Sequence, residues 1–330
     1  AFYYQHIGLS AGDAHLHEEI LPELVIGESA SMRLQYFSEG VVVLRNALHE
    51  KWVARLLHVA QHIERDRSLA GRLPTFGAAA GALYSHWQEN PIVQDFWFNS
   101  GISRLLASVV QAKQLRMFED LIVTTKPKAN WYECWHSDWY SFGNVVESNW
   151  SYSIWIPLVD ITKESGGSIH LCNRSVIPSN CLSGTAPPVF ACEQEGPPGY
   201  CEHILEKRCQ APEFRAGDAV IFTKDNVHRT QKLHDPNFRR FAMIGRFVDG
   251  QATYRPGSTS FLNSYTYKIM HDVCRHGLKL GDRIAGPCFP QLFPTANATE
   301  IDMGRKYVRP LFIAAFALLE KAWYGGNIAH

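Results

Sequence analysis

The sequence predicts a mainly β fold with flanking helices (α+β), in which an antiparallel barrel or sandwich is supported by an N-terminal helical layer. Apolar residues recur mainly at helical spacing before residue 112, whereas short alternating or buried runs occur between residues 116 and 248. The strand-like runs follow one another without intervening helices, and Gly, Pro, Asn and Asp separate them. A parallel α/β fold would need a helix between successive strands, so this order favours antiparallel pairing.

The N-terminal third contains most of the predicted helices. Residues 31–40 predict a short helix with a turn at Gly40, and residues 41–44 predict a buried strand. Apolar residues recur at helical spacing over 48–66 and over 91–111, so each of these segments is predicted to be one helix. Together these helices should form a layer against the β core.

Four strands are predicted in the core, at residues 116–125, 152–158, 219–222 and 240–248. The segment 178–213 is rich in Pro, Gly and Cys without a clear period, which is typical of a functional loop or lid. Residues 309–324 predict a buried amphipathic helix.

The chain of 330 residues is expected to form a single domain. About 1–115 would be a mainly helical buttress, 116–250 the β core, and 251–330 a C-terminal helical extension.

The charge balance argues against two classes of partner. Lys+Arg and Asp+Glu number 32 each, so the net charge is zero and no basic surface for nucleic acid is indicated. The longest apolar stretch, 311–319, is far shorter than the roughly 20 residues that span a bilayer. A small-molecule partner and a monomer or homodimer are therefore expected.

Cysteine usage bears on the compartment. None of the eight Cys forms a C-x-x-C pair, which argues against zinc-ribbon and thioredoxin-like sites. Five of them fall between residues 172 and 209, where one or two disulfides are conceivable. The first 30 residues carry acidic side chains where a signal peptide needs an apolar run, so a cytoplasmic location is expected.

The segment Trp135-His136-Ser137-Asp138 indicates a metal site. In an extended chain, residues two apart point the same way, so His136 and Asp138 can bind one ion together. His228 is the best third ligand, because a turn and a buried strand, 217–222, precede it. Two His and one carboxylate form the facial triad of non-haem iron(II) oxygenases, in which other coordination positions stay open.

Other histidines compete for the third position, because an isolated H-x-D motif is a weak signal. The rivals of His228 are His170, His203, His234 and His276.

The residues after His228 suggest a site for a dicarboxylate co-substrate. Arg239 lies eleven residues on, at the start of a predicted strand, and Thr230 lies two residues on. A buried arginine is suited to the far carboxylate because a guanidinium donates two parallel hydrogen bonds, and a hydroxyl can add a third. Arg240 is the rival of Arg239, and strand alternation sends their side chains to opposite faces.

These motifs together resemble the phytanoyl-CoA dioxygenase family of 2-oxoglutarate oxygenases, from about Phe37 to Val248. Besides the metal motif, the similarity includes four blocks. They are a hydrophobic segment at 37–44, the strand containing Trp155 at 153–160, the Glu-Ser-Gly-Gly turn at 164–167 with 173–175, and the segment 217–228 that begins with the Gly-Asp turn. The chain departs from the family pattern at Ser137 and at 172–175, which bears on substrate rather than on chemistry.

The resemblance implies a double-stranded β-helix (jelly-roll, cupin-like) core and a role for each matching residue. His136, Asp138 and His228 would bind Fe(II), with 2-oxoglutarate and O2 as co-substrates. Arg239 and Thr230 would bind the distal carboxylate of 2-oxoglutarate, and Trp155 would lie along that molecule.

Aromatic residues around the ligand motif suit a largely apolar substrate, for which a specialised metabolite is the first hypothesis and an acyl-CoA the second. Hydroxylation and oxidative cyclisation or desaturation remain open. A divalent-metal hydrolase and a non-catalytic cupin-like binding protein are the alternatives from other classes. The candidate substrate residues are Trp135, Trp139, Tyr140, Arg174 and Arg229.

Overall fold

The computed structural model describes residues 29–65, 82–84, 86–88, 90–125, 135–138, 151–182, 200–254 and 279–304. Within these ranges a curled antiparallel sheet has helices packed on one face, and a second, two-stranded sheet carries one of the predicted ligands. This is the jelly-roll arrangement with flanking helices that the sequence predicts.

The described helices are α1 (Ser29–Glu39), α2 (Glu50–Arg65), α3 (Pro91–Asn99), α4 (Ile102–Val110), α5 (Ser179–Leu182), α6 (Tyr200–Arg208) and α7 (Ala298–Met303). The described strands are β1 (Val41–Leu44), β2 (Ala82–Tyr84), β3 (Leu115–Thr125), β4 (Ser151–Pro157), β5 (Ile169–Leu171), β6 (Ala219–Thr223), β7 (His228–Thr230), β8 (Arg240–Asp249) and β9 (Gln291–Phe293). Short 3-10 helices occur at His86–Gln88 and Arg174–Val176.

The larger sheet has the order β1-β6-β4-β8-β3-β2, and β9 adds to β3. Each described strand pairing within it is antiparallel, and β5 pairs with β7 in the smaller sheet. Because β1 of the N-terminal segment pairs with β6, the predicted boundary near residue 115 does not separate the helical layer from the β core.

Most of the predicted elements are confirmed, with one correction. The segments α1, β1 and α2 and the four predicted strands occur within one or two residues of their expected bounds. The prediction of one helix over 91–111 was wrong, because α3 ends at Asn99 and α4 begins at Ile102. Gly101 between them has φ +82°, a left-handed conformation that interrupts a helix and that glycine adopts without strain.

The helices pack against one face of the larger sheet. Trp52 and Leu56 of α2 and Phe96 of α3 belong to the same buried cluster as Ile154 of β4 and Met243 of β8. Side chains of the intervening strand positions face the other way, because successive residues of a strand alternate between faces. The helical layer therefore closes one side of the sheet and leaves the opposite side as the barrel interior.

The Gly-Asp turn before β6 joins that strand to β1. The Asp218 carboxylate, which is 1% exposed, accepts from Arg45 Nη1 at 2.7 Å and from the Asn46 N–H at 2.9 Å. Gly217 has φ +90°, and a Cβ there would lie 2.9 Å from Val53 Cγ2. The turn thus requires glycine and a short acid, which accounts for the motif in physical terms.

Two disulfides brace the predicted lid segment. Cys172 pairs with Cys209 and Cys181 with Cys201, with Cα–Cα distances of 4.4 and 5.3 Å. The segment 178–213 is therefore partly helical and cross-linked where the structure describes it. The predicted helix at 309–324 lies outside the described residues, and none of the helices within them is long and apolar enough to cross a membrane.

The N-cap of α3 offers a test of the helical layer. Asn90, which is 2% exposed, accepts from the backbone N–H groups of Ile92 at 2.9 Å and Val93 at 3.3 Å. We expect Asn90→Ala to lower the free energy of unfolding by about 1–2 kcal/mol, because these helix-end donors lose their acceptor. Urea unfolding measures the loss, and Asn90→Asp, which keeps an acceptor, should restore most of it; equal losses in both variants would contradict the capping role.

Candidate metal centre

A backbone bridge places the two predicted histidine ligands side by side. His228 is the first residue of β7, and it forms an isolated antiparallel bridge with His136. The His136 N–H donates to the His228 carbonyl at 2.9 Å, and the His228 N–H donates to the His136 carbonyl at 2.8 Å. As a result, the centroids of the two imidazole rings are 4.3 Å apart.

The Asp138 side chain completes a group of three potential ligands. His136, Asp138 and His228 each offer one ligand atom, and these atoms all lie within 4.8 Å of one another. Asp138 and His228 are buried, and His136 is partly exposed. The structure thus brings together the three side chains that the sequence proposes as ligands.

The hydrogen bonds of His228 orient its ring for metal binding. Its Nδ1 lies 3.0 Å from the Asn226 carbonyl oxygen, which can only accept, so Nδ1 carries the proton. This leaves Nε2 unprotonated and available as a ligand. Burial, followed by the neighbouring His136, lowers the pKa of His228 from 6.5 to about 4, so the imidazole is neutral at neutral pH.

The carboxyl group of Asp138 is ionised for a different reason. Burial alone would raise its pKa, but the charge of Arg246, then His228 and a hydrogen bond from Arg246 outweigh that effect and hold the pKa well below its usual range. An ionised carboxylate beside a neutral imidazole is the state in which both bind a divalent cation. The donor set of two imidazoles and one carboxylate fits Fe(II) with other positions open.

The barrel interior next to these ligands is apolar. Trp155 of β4 is 3% exposed and packs edge-on against Phe214, with ring centroids 5.1 Å apart. The same buried cluster contains Phe222, whose ring centroid lies 4.7 Å from that of His228, and Ala242 of β8. Trp155 therefore lies on the interior wall, as its proposed place along the co-substrate requires.

The structure assigns different environments to Arg239 and Arg240. The side chain of Arg239 is 55% exposed and pairs with Glu64 of α2 at 2.8 Å, so it lacks the burial that a carboxylate anchor needs. Arg240 is 1% exposed and shares an interior strand face with Ala242, two residues further along β8. Its guanidinium donates to the Gly167 carbonyl at 2.9 Å and to the Thr125 hydroxyl. The anchor proposed at Arg239 is therefore moved to Arg240.

A hydroxyl beside the arginine comes from a residue that the sequence reasoning missed. Thr125 is the last residue of β3 and is in register with Arg240 on β8. No local motif marks it, since only the pairing of strands 115 residues apart brings it there. Thr230 lies on β7 opposite Ile169 of the interior cluster, on the same side of the strand as His228.

Three of the candidate substrate residues contact other parts of the protein. Arg229 alternates with His228 and lies over Trp135, with its guanidinium carbon 4.6 Å from the ring centroid, while its Nη2 donates to Glu206 at 2.7 Å. Arg174 is exposed and donates to the carbonyls of Phe37 and Ser38 at the end of α1. The structure does not bring these side chains to the three ligands, and Trp139 and Tyr140 lie outside the described residues.

The structure describes three of the four rival histidines. His170 packs edge-on against Trp135, with ring centroids 5.5 Å apart, and burial followed by the charge of Arg229 lowers its pKa to about 4. His203 and His234 are exposed, and His276 lies outside the described residues. In the described part of the chain, none of them joins the group of three.

The low pKa of His228 predicts how the metal-free protein responds to acid. An unfolded histidine titrates near 6.5, whereas the folded His228 titrates at about 4, so between these values the unfolded chain binds more protons. Stability should therefore fall as the pH falls, by about 2 kcal/mol between pH 7 and pH 5 from this residue. Urea unfolding in the presence of a chelator measures it, and His228→Gln should flatten the pH dependence by that amount; an unchanged slope would contradict the assignment.

One family model matches part of the sequence. Residues 36–172 match the family model described as phytanoyl-CoA dioxygenase (PhyH). This match includes two of the three ligands, His136 and Asp138. No curated protein matches the sequence.

Solved structures with the same fold include three oxygenases of low sequence identity. The carbocyclase SnoK from nogalamycin biosynthesis is 19% identical, with a TM-score of 0.58 over 79% of this chain and 95% of that chain. The epimerase SnoN in complex with Fe3+, alpha ketoglutarate and nogalamycin RO is 19% identical, with a TM-score of 0.58 over 80% and 98%. EctD from S. alaskensis with 2-oxoglutarate and 5-hydroxyectoine is 13% identical, with a TM-score of 0.54 over 82% and 89%.

The two comparisons concern different features of the chain. The family model accounts for the segment that carries the H-x-D motif, and the structural matches account for the jelly-roll core. The family model thus supports the predicted resemblance over residues 36–172, and the structural matches support the predicted fold.

Proposed function

We propose that this protein is a PhyH-type, non-haem iron, 2-oxoglutarate-dependent oxygenase that oxidises an unactivated C–H bond of a small, largely apolar specialised metabolite, by hydroxylation or by oxidative cyclisation or desaturation. The observation that carries the proposal is the pairing, within one barrel, of the His136–Asp138–His228 group with the buried guanidinium of Arg240. Iron(II) bound by the three ligands would supply the oxidative chemistry, with 2-oxoglutarate and O2 consumed and succinate and CO2 released.

The three ligands would bind the ion from one side. The backbone bridge fixes His136 and His228 next to each other, so the site is formed before the ion arrives. Three protein ligands on one face leave positions for a chelating keto acid and for O2. Preformed ligands reduce the ordering cost of binding, which favours tight binding of the ion.

Arg240 is the proposed partner of the distal carboxylate of 2-oxoglutarate. A guanidinium that is 1% exposed is shielded from water, which strengthens a charge-assisted hydrogen bond. The Thr125 hydroxyl accepts from Arg240 and can donate its own proton to the same carboxylate. Trp155, on the interior wall, would lie along the aliphatic part of the co-substrate.

A largely apolar substrate is supported by the interior surface and by the structural relatives. The cluster around Trp155, Phe214 and Phe222 offers apolar contact area rather than charged groups. SnoK and SnoN, which share the fold, come from nogalamycin biosynthesis, and a specialised metabolite is proposed here by analogy with them. An acyl-CoA is a weaker candidate, because Arg229 and Arg174, the two cationic candidate substrate residues, contact other parts of the protein.

The cytoplasmic location remains a prediction. The disulfides Cys172–Cys209 and Cys181–Cys201 would persist in an oxidising compartment and would be reduced in most cytosols. They therefore weigh against that location, which thiol alkylation of the protein in its source cell would test directly.

The adjacent arginines provide a matched pair of variants. We expect Arg240→Ala to raise the dissociation constant of 2-oxoglutarate by about 30-fold or more, because a buried, hydrogen-bonded charge loses its partner. Arg239→Ala should change that constant by less than about twofold, since its side chain is 55% exposed and pairs with Glu64 of α2. Calorimetric titration of metal-loaded, oxygen-free protein measures both constants.

Metal affinity is the control for folding in both variants, and it should stay near the wild-type value. A loss of 2-oxoglutarate binding in Arg239→Ala alone would restore the original assignment of the anchor. Wild-type affinity in both variants would remove the dicarboxylate site and favour a metal hydrolase or a binding protein.

The reaction itself is tested by screening apolar metabolites for substrate-dependent formation of succinate. Oxygen uptake should accompany succinate in about equal amounts, and the product should differ from the substrate by one oxygen atom or by two hydrogens. Asp138→Ala is the matched inactive variant, because it lacks the carboxylate ligand. Conversion of a substrate by hydrolysis, without succinate, would contradict the oxygenase function.

A further inference from the structure

Both oxygens of the Asp138 carboxylate are held by neighbouring side chains. Arg246 Nη2 donates to Oδ1 at 2.7 Å, and Ser153 Oγ donates to Oδ2 at 2.6 Å. Asp138 is 2% exposed, so water does not compete freely for these contacts. The carboxylate plane is therefore defined by two donors that lie on different strands, β8 and β4.

The guanidinium of Arg246 also forms an ion pair with a second carboxylate. Its Nη1 pairs with Oε1 of Glu119, a carboxylate that is fully buried. A single carboxylate would suffice to neutralise a buried arginine. The guanidinium instead spans two carboxylates with its fixed planar fork, so its position is determined by Glu119 and transmitted to Asp138.

The pairing of β3 with β8 places Glu119 there. Glu119 and Ser153 are both in register with Arg246, so the three residues form one row across β3, β8 and β4. The register of β3 shifts between Met117 and Glu119, before this row begins.

Successive residues of a strand point to opposite faces. Glu119 therefore points into the barrel with Thr125, whereas Asp120 points to the helical layer, where it accepts from Trp97 Nε1 at 3.1 Å.

We propose that Arg246 is a positioning residue that keeps Asp138 in the orientation of a single-oxygen metal ligand. This inference rests on the proposed metal site. Oδ1 shares its negative charge with the Arg246 guanidinium, whereas Oδ2 accepts from the neutral Ser153 hydroxyl, so Oδ2 is the stronger ligand for an ion. A one-oxygen ligand leaves the coordination position that a two-oxygen ligand would occupy, and the co-substrates need that position.

Arg246→Lys tests the proposal because it keeps the positive charge and removes the fork. We expect the dissociation constant for Fe(II), or for Co(II) as a stable probe, to rise about 10–100-fold, the usual effect of losing a partner of a metal ligand. Equilibrium dialysis of the full-length protein measures it. Arg116→Lys is the matched control: Arg116 is also 8% exposed and pairs with Glu300 at 3.1 Å, and its substitution should change metal affinity by less than about twofold.

A second readout separates positioning from general damage to the fold. At saturating Co(II), the visible ligand-field spectrum reports the coordination of the ion rather than the stability of the protein. The spectrum should change in Arg246→Lys and match the wild type in Arg116→Lys. Thermal unfolding of the metal-free variants shows whether each one is folded.

If Arg246→Lys does not fold, Glu119→Ala is measured instead. This variant removes one of the two carboxylates that pair with the Arg246 guanidinium and leaves a neutral Arg246–Asp138 pair. It should weaken Co(II) binding in the same direction, by about three- to tenfold, with a changed spectrum. Wild-type affinity and spectrum in the folded variants would overturn the positioning role. A wild-type protein that binds neither ion would instead contradict the proposed function.

Discussion

The candidate site depends on the backbone bridge between His136 and His228. Two reciprocal hydrogen bonds, of 2.9 and 2.8 Å, fix the two histidines in register, and strand alternation then places Asp138 beside them. The bridge joins a segment before β4 to a strand that follows β6, so it forms only when the jelly roll closes. Metal binding and completion of the fold are therefore coupled, since the ligands are assembled by the same contacts that close the barrel.

Alternation along the strands separates the residues that face the candidate site from those that pack against the helices. On β8, Arg240, Ala242 and Arg246 face the interior, whereas Met243 and Phe247 pack under the helical layer. The interior positions of this one strand thus include the proposed carboxylate anchor and the arginine that contacts Asp138. The helices do not contribute ligands, but they make the opposite face of the sheet inaccessible to water and so keep the strands in one register.

The sequence was sufficient for features that depend on local spacing and insufficient for those that depend on strand pairing. The H-x-D motif, the Gly-Asp turn and His228 all lie in short segments whose geometry follows from alternation or from turn chemistry. Arg239 and Arg240 are adjacent, so spacing alone did not decide between them, and it is the onset of β8 at Arg240 that sends this residue inward. Thr125, Glu119 and Arg246 meet their partners through contacts over more than 100 residues, which no local pattern indicates.

The most direct test of the account is the binding of 2-oxoglutarate to the iron-loaded protein in the absence of oxygen. Chelation of Fe(II) by the keto acid produces a weak visible charge-transfer band, because the ion and the bound keto group are electronically coupled. The account predicts this band in the wild-type protein and its absence in His228→Ala, which lacks one of the three ligands. A folded, iron-loaded wild-type protein that shows no band on addition of 2-oxoglutarate would contradict the central claim.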